Sequence, residues 1–414
     1  MARRDVLVLG AGIVGTSIAL HLAKRGVSVA LVDRRGPGEE TSYGNTGVLE
    51  GNTLFPHAFP ANAALLKIAL KLAPEANYHF AALPHIAPYL FAYRANSAPE
   101  KRMEFAEAMR PLFSRAVAEH EALMQESGST RYLRKEGWIK LYRSENAFAS
   151  NARELEVAGK YGLRYSVLDT DGTRALEPSL APVFTRSIHW PEAATVSNPL
   201  MVTRSYAARF GALAGVTLTG DARKLRKTAD GWRIDTDEGA LDVKEVVIAL
   251  GPWAPDVLEP LGIKLPLNVK RGYHRHYAPK GNAGLTRVIV DTENGYCLAP
   301  MEQGIRITTG AEFADRDAEP TPVQLDRLMP AAQGLFPLGE PVEAKPWMGS
   351  RPCFADSRPV IGRAPGQSGM WLAYGHAHWG LTLGPVTGRL VADMMTGTTP
   401  FCDPAPYRAE RFGA

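Results

Sequence analysis

Apolar and polar positions change period several times along the chain, and each change marks an element. Asp5–Leu9 is a short, nearly unbroken apolar run, the pattern of a strand buried on both faces. Beyond the turn Gly10–Gly15, the segment Thr16 to Arg25 places Ile18, Ala19, Leu22 and Ala23 on one helical face, and Gly26 offers a C-terminal stop. Val27–Val32 returns to an apolar strand that ends at Asp33. Residues 54–128 are mainly helical in pattern. They include a short apolar helix, Leu65–Leu72, bearing Lys67 and Lys71, and a long helix, Glu104–Gln125. Strands are predicted around Gly137, notably Trp138–Tyr142, and a helix over Asn198–Leu213. Further strands follow near 216–218, 232–234 and 246–249, and residues 265–311 alternate as antiparallel strands do. A glycine- and proline-broken stretch, 346–362, leads to a strand at Met370–Tyr374 and a last helix, Leu381–Met395.

A chain of 414 residues has room for two or three domains. Its net charge of +4, with no lysine or arginine run, gives no basis for a nucleic-acid surface. Cys297, Cys353 and Cys402 are too scattered for a zinc site or a disulfide framework. Arg3 and Arg4 precede an apolar run as in a signal peptide, but glycines soon interrupt that run, so the expected location is cytoplasmic. No apolar stretch reaches the roughly 18 residues of a membrane span.

The first fifty residues carry the clearest chemistry. Gly10, Gly12 and Gly15 form a G-x-G-x-x-G turn between strand and helix, and Asp33 closes the following strand. The first glycine makes the turn, the second admits a diphosphate and the third lets helix and strand pack closely. Ile13 and Val14 open the helix, whose free N–H groups face the anion. Asp33 suits a ribose hydroxyl and disfavours a 2′-phosphate. Arg34 follows it, either over the nucleotide or in solvent. The unit therefore holds an ADP-containing dinucleotide. The polar run Thr41, Ser42, Asn45, Thr46 and Gly47 could bring hydroxyls and N–H groups to phosphate or ring atoms, or be an ordinary surface loop.

Together with Val247–Gly251, the run Arg351-Pro352…Asp356…Pro359–Gly362 and Gly375-His376…Gly380, these motifs resemble the D-amino-acid oxidase-like flavoprotein family over nearly the whole chain. Within the family the chain is most similar to bacterial D-amino-acid dehydrogenases. The resemblance implies an α/β protein with an α+β substrate part: a Rossmann-like FAD-binding domain (1–58, 191–261 and 346–414) interleaved with an antiparallel-sheet substrate domain (59–190 and 262–345). It implies FAD, expected to be non-covalent, held by the first unit, by Gly251 and Trp253, and by Gly375, His376, Trp379, Gly380, Leu381 and Thr382. It implies that Arg351 binds an amino-acid carboxylate, for which a planar guanidinium fork is suited; a salt bridge to Asp356 or Glu343 is the competing role. Tyr273, His274, Tyr296 and His378 are further candidates for the substrate pocket. His376 and His378 could instead be structural.

The implied reaction oxidises a D-amino acid at Cα by hydride transfer to flavin N5, and water then releases a 2-oxo acid and ammonium. D-hydroxyproline or D-proline dehydrogenation, a glycine/sarcosine-type oxidase and a non-catalytic flavin subunit are the alternatives. The electron acceptor is a quinone or carrier, or oxygen. The apolar segment Leu65–Tyr93 could rest on the inner face of the cell membrane or form an internal helix pair. Nothing in the sequence sets the oligomeric state.

Overall fold

In the computed structural model, residues 4–60 and 62–413 are described. The strand Arg4–Leu9 lies in the middle of an eight-stranded sheet, between Val29–Asp33 and Gly239–Ile248, parallel to both. Its unbroken apolar run follows from that place. Val6 and Val8 enter the core beneath the helices, while Leu7 and Leu9 enter the core on the opposite face. Val216–Thr219 extends the sheet beyond Val29–Asp33, and Met370–Tyr374 pairs with Gly239–Ile248, both in parallel. All these strands point one way, so their C-terminal ends share an edge, where α/β proteins hold ligands.

Helix Ile13–Lys24 packs against the last helix, Gly380–Met395, on one face of this sheet. The approach is close: a Cβ on Gly388 would lie 2.7 Å from the Ser17 carbonyl. The last helix, starting at the same sheet edge as the first, brings residues 375–382 beside the glycine turn.

The second sheet has eleven strands and is mostly antiparallel. Its longest strand, Asn268–Pro279, pairs with Gly304–Thr308, Ala311–Phe313, Leu338–Pro341 and Trp347–Cys353. The chain therefore stays in this sheet through Trp347–Cys353, and returns to the first sheet at Val360–Arg363. A small three-stranded sheet of Val48–Leu49, Ala194–Val196 and Leu133–Arg134 joins the two halves. Helix Val323–Leu335 covers the face of the large sheet that carries Tyr273, Tyr277 and Tyr296.

The region 54–128 is less uniform than its helical pattern suggests. Helices Asn62–Ala69, Leu83–Ala95 and Pro99–Glu126 are present, but Ala76–Tyr78 is an edge strand paired with Ala311–Phe313. Three residues are too few to establish a period of two, and the pairing partner lies more than 230 positions away.

Candidate active site

A cavity of about 980 Å³ runs from the glycine turn to the large sheet. Sites for small molecules occupy roughly 300–1,000 Å³, so this one sits at the upper end of that range. At the first sheet's edge it is lined by Gly10, Gly12, Ile13, Val14, Asp33, Arg34, Thr41, Ser42, Asn45 and Thr46. Gly10 adopts φ +103°, and a Cβ there would meet the Ala249 carbonyl oxygen at 2.5 Å. Gly15 does not line the cavity; a Cβ on it would lie 1.8 Å from the Gly10 carbonyl oxygen, so its smallness closes the turn. Asp33 accepts the Ala11 N–H at 2.7 Å, and the Ser42 hydroxyl accepts the Ile13 N–H at 3.0 Å. No acidic residue occupies the helix's first turn, leaving its positive end to an anion.

The next wall is the loop 375–382. Gly251, Trp253, Gly375, His376, His378, Trp379, Gly380 and Leu381 all border the cavity, and the Arg34 guanidinium stacks over Trp253 at 4.5 Å. His376 bonds Thr387 at 3.0 Å, and burial pushes its imidazole down to about 3, so it stays neutral. Gly47 and Thr382 stand behind the lining residues. The Gly47 N–H is donated to the Asn45 side chain at 2.9 Å, and the Thr382 hydroxyl to the Val48 carbonyl at 3.0 Å. The two loops are thereby tied together, with Asn45 also donating to the His378 carbonyl at 3.3 Å.

The third wall is the large sheet. Lys270 lies directly opposite Arg351 on the neighbouring strand, and Gly272 opposite Gly349. Residues of one parity share a face, so both cations face the cavity. The Arg351 guanidinium occupies the space over Gly272, where a Cβ would meet Nη2 at 2.5 Å. It donates to the carbonyls of Gly310 at 2.9 Å and Thr309 at 3.2 Å. Neither Asp356 nor Glu343 reaches it, since Asp356 pairs with Arg358 and Arg411, and Glu343 with His276. Among the described residues Arg351 has no carboxylate partner, and neither has Lys270, whose ammonium sits 3.7 Å from the centre of the Tyr93 ring. Burial lowers the pKa of both. His57 and His378 face each other across 5.1 Å. Burial, then Lys270, pushes His57 down to about 4; burial, then His57, Arg351 and Lys270, holds His378 well below the usual imidazole value.

Strand alternation separates the other sheet candidates from this wall. Tyr273 and Tyr296 border the cavity, but their hydroxyls are engaged on the far face. The Tyr273 hydroxyl donates to Glu312 at 2.6 Å, and that of Tyr296 to the Ala331 carbonyl at 3.3 Å. His274 has the parity of Lys270, yet Trp347 stacks on it at 4.9 Å and Tyr43 packs at 5.3 Å, so the structure does not bring it to the cavity. Reasoning from sequence overlooked Lys270, His57 and Glu50, all of which line the cavity. Lys270 was within reach of the strand pattern, two residues before Gly272; no local signal marks the other two.

With that geometry in hand, comparison with known proteins is decisive. A family model described as FAD dependent oxidoreductase matches residues 5–394. The chain belongs to this family. It is 28% identical to the D-amino acid dehydrogenase of Chromohalobacter salexigens, the alignment covering 99% of this chain and 100% of the relative. It is 29% identical to the D-amino-acid oxidase of Bradyrhizobium diazoefficiens, covering 99% of each. The fold is similar to that of glycine oxidase from Geobacillus kaustophilus, with a TM-score of 0.76, 23% identity and 99% of each chain covered.

The residues of this FAD dependent oxidoreductase fit its cofactor. The backbone leaves no room for a side chain at Gly10 or Gly15 and little at Gly12, the helix behind the turn starts without an acid, and Asp33 stands at the end of the neighbouring strand. Those groups would hold the ADP half, and the loops 41–50 and 375–382 would enclose the rest.

Proposed function

We propose that this oxidoreductase oxidises a D-amino acid to its imino acid, which water converts to the 2-oxo acid and ammonium. The observation that carries the reading is Arg351, a half-buried guanidinium that no carboxylate among the described residues neutralises, in the same cavity as the dinucleotide turn. Its remaining N–H donors suit a substrate carboxylate, and Lys270 adds positive charge from the facing position. Bound FAD supplies the two-electron acceptor for the Cα hydride. Arg351 fixes one end of the substrate, so Cα is oriented by the clamp and the work is largely positional. Burial keeps His57, His376 and His378 neutral, so these imidazoles add no charge to compete for the carboxylate.

Anaerobic bleaching of the flavin by a panel of D- and L-amino acids, glycine, sarcosine and hydroxyproline tests this. Bleaching by D-amino acids with stoichiometric ammonium supports the reading. Bleaching by an L-amino acid alone overturns the stereochemistry. Bleaching without ammonium points to a cyclic substrate of the proline type, and preference for glycine or sarcosine to the oxidase alternative.

For the acceptor, we favour a lipid-dissolved quinone over oxygen. The exposed large apolar side chains concentrate in one segment: Leu66, Leu70, Leu72, Phe80 and Phe91 are each at least 60% exposed. Lys67, Lys71 and Arg94 accompany them, against a single acid, Glu75, between 62 and 98. Ile68 of the same helix lines the cavity. Such a basic, apolar face suits peripheral contact with an anionic bilayer, and no helix among the described residues is long and apolar enough to cross one. The Leu66→Glu/Leu70→Glu variant is expected to lose sedimentation with anionic vesicles and to reduce vesicle-borne quinone at least tenfold more slowly, while dye reduction in solution stays within twofold. Equal quinone reduction by both proteins would remove the membrane from the reading.

A further inference from the structure

Glu50 is a carboxylate on the cavity wall for which the carboxylate clamp has no use. It follows the short strand Val48–Leu49, at the end of the first cofactor loop, and is anchored by the second: its N–H is donated to the Thr382 hydroxyl at 3.3 Å, and its side chain accepts the Trp379 indole N–H at 3.3 Å. The Thr53 hydroxyl also donates to it. Both donors reach Oε2, and among the described residues none reaches Oε1. No cation of the chain forms an ion pair with Glu50 among the described residues. Lys140, whose charge acts on Glu50, is committed to Glu154 at 3.0 Å and to Asn151 at 3.1 Å. Burial pushes the Cys297 thiol up to about 11, and among the charges acting on it Arg351 favours the thiolate while Glu50 and Asp291 oppose it. The cavity thus offers an unpaired cation and an unpaired anion around one neutral side chain. A zwitterion with adjoining carboxylate and ammonium matches that arrangement.

We propose that Glu50 receives the substrate's ammonium and takes the proton that must leave nitrogen before hydride can leave Cα. The assignment rests on the amino-acid reading above. The step balances: the N–H bond breaks, its proton passes to a Glu50 carboxylate oxygen, and the electron pair stays on nitrogen. That pair then forms the C=N bond as the Cα–H pair departs to the bound FAD, and the iminium hydrolyses in water. Glu50 is equipped for the transfer because burial raises its carboxyl above the usual glutamate value, a rise that Glu154 supports and that Thr53, Trp379 and Lys140 oppose. Cys297 is the further titratable group on which Glu50 acts, and the neutral His57 and His378 line the same cavity.

The test uses the FAD-loaded enzyme. Ionised Glu50 is required, so activity should fall as pH drops through its pKa. In Glu50→Gln only the neutral amine can react, so kcat/KM at pH 7 should fall by about a hundredfold. It should then regain about tenfold per pH unit until the ammonium itself titrates. Binding of the 2-oxo acid, which lacks the amine, and retention of FAD should stay within twofold. Thr53→Ala removes a hydrogen bond that stabilises the carboxylate and should move the acid limb to higher pH. A pH profile parallel to that of the parent, equal losses for amino acid and 2-oxo acid, or a stationary acid limb in Thr53→Ala would each overturn the assignment of Glu50. If the parent enzyme is bleached by no amino acid, the substrate reading fails first and the Glu50 role with it.

Discussion

Replacing Arg351 by leucine raises KM for the amino acid about a hundredfold, the consequence of losing a charge-assisted contact of ~2–3 kcal/mol. No carboxylate among the described residues neutralises the guanidinium, so its charge is available to a ligand. Leucine keeps much of the volume over Gly272 but leaves the Gly310 and Thr309 carbonyls without their donor. Part of the loss therefore comes from wall groups left unpaired. Arg351→Lys is expected to recover only a fraction, because a single ammonium cannot serve two carbonyls and a planar carboxylate together. Lys270 keeps some positive charge opposite the gap, so binding is weakened, not abolished. Steady-state kinetics over a range of amino-acid concentrations checks this, and an unchanged KM would remove Arg351 from the substrate site.

Glu312→Gln should lower the stability of the folded chain by about 3–5 kcal/mol, the cost of stripping one partner from a buried ion pair. Arg271 and Glu312 are both inaccessible to solvent and lie 2.7 Å apart. The Tyr273 hydroxyl bonds Glu312 at 2.6 Å and accepts the Thr321 N–H at 2.8 Å, and Asn77 donates to Glu312 at 3.1 Å. Remaining donors of Arg271 hold the Asp315 and Glu319 carbonyls. Burial would raise the Glu312 carboxyl, but the bonds from Thr321 and Tyr273 and the charge of Arg271 outweigh it and leave its pKa below the usual value. The sign of the pH dependence follows: this stabilisation is complete above the ordinary glutamate pKa and is lost as pH falls through the lowered folded value. Urea unfolding at neutral pH should show the full deficit for Glu312→Gln, and the gap between variant and parent should shrink below about pH 4. The double replacement Arg271→Met/Glu312→Leu should recover most of the loss, since a well-packed apolar pair spares both desolvation costs. A deficit below 1 kcal/mol at neutral pH would mean that the network is not the support of the 311–321 segment.

The two effects are linked through the large sheet. Glu312 stands two residues beyond the Gly310 carbonyl that holds Arg351, and Arg271 separates Lys270 from Gly272 on the facing strand. The face turned from the cavity carries the ionic network, and the face turned toward it carries the clamp. A residue chosen for its place on these strands therefore needs its parity before its role can be assigned. Tyr273 and Tyr296 illustrate this: both are on strands that border the cavity, but their hydroxyls serve the other side.

The dinucleotide unit was fully legible in the sequence. Strand, glycine turn, helix and closing acid lie within 33 residues, and each property depends on neighbours: apolar runs, small residues in a turn, a helix start without acids. The order of helices and strands after it was mostly legible for the same reason, except where an element such as Ala76–Tyr78 was too short to have a period. Arg351 could be singled out as a candidate carboxylate binder only through its resemblance to a family motif; that it is free of Asp356 and Glu343 was not legible. The opposition of Lys270 to Arg351, the burial of Tyr273's hydroxyl and the arrival of Glu50 beneath Trp379 were decided by tertiary structure alone. Register between strands 80 positions apart, and the meeting of loops more than 300 positions apart, depend on how the whole core packs, and no local pattern encodes them. The sequence by itself determined that this chain binds a dinucleotide; folding decided which charges were left without partners around the place where a substrate would lie.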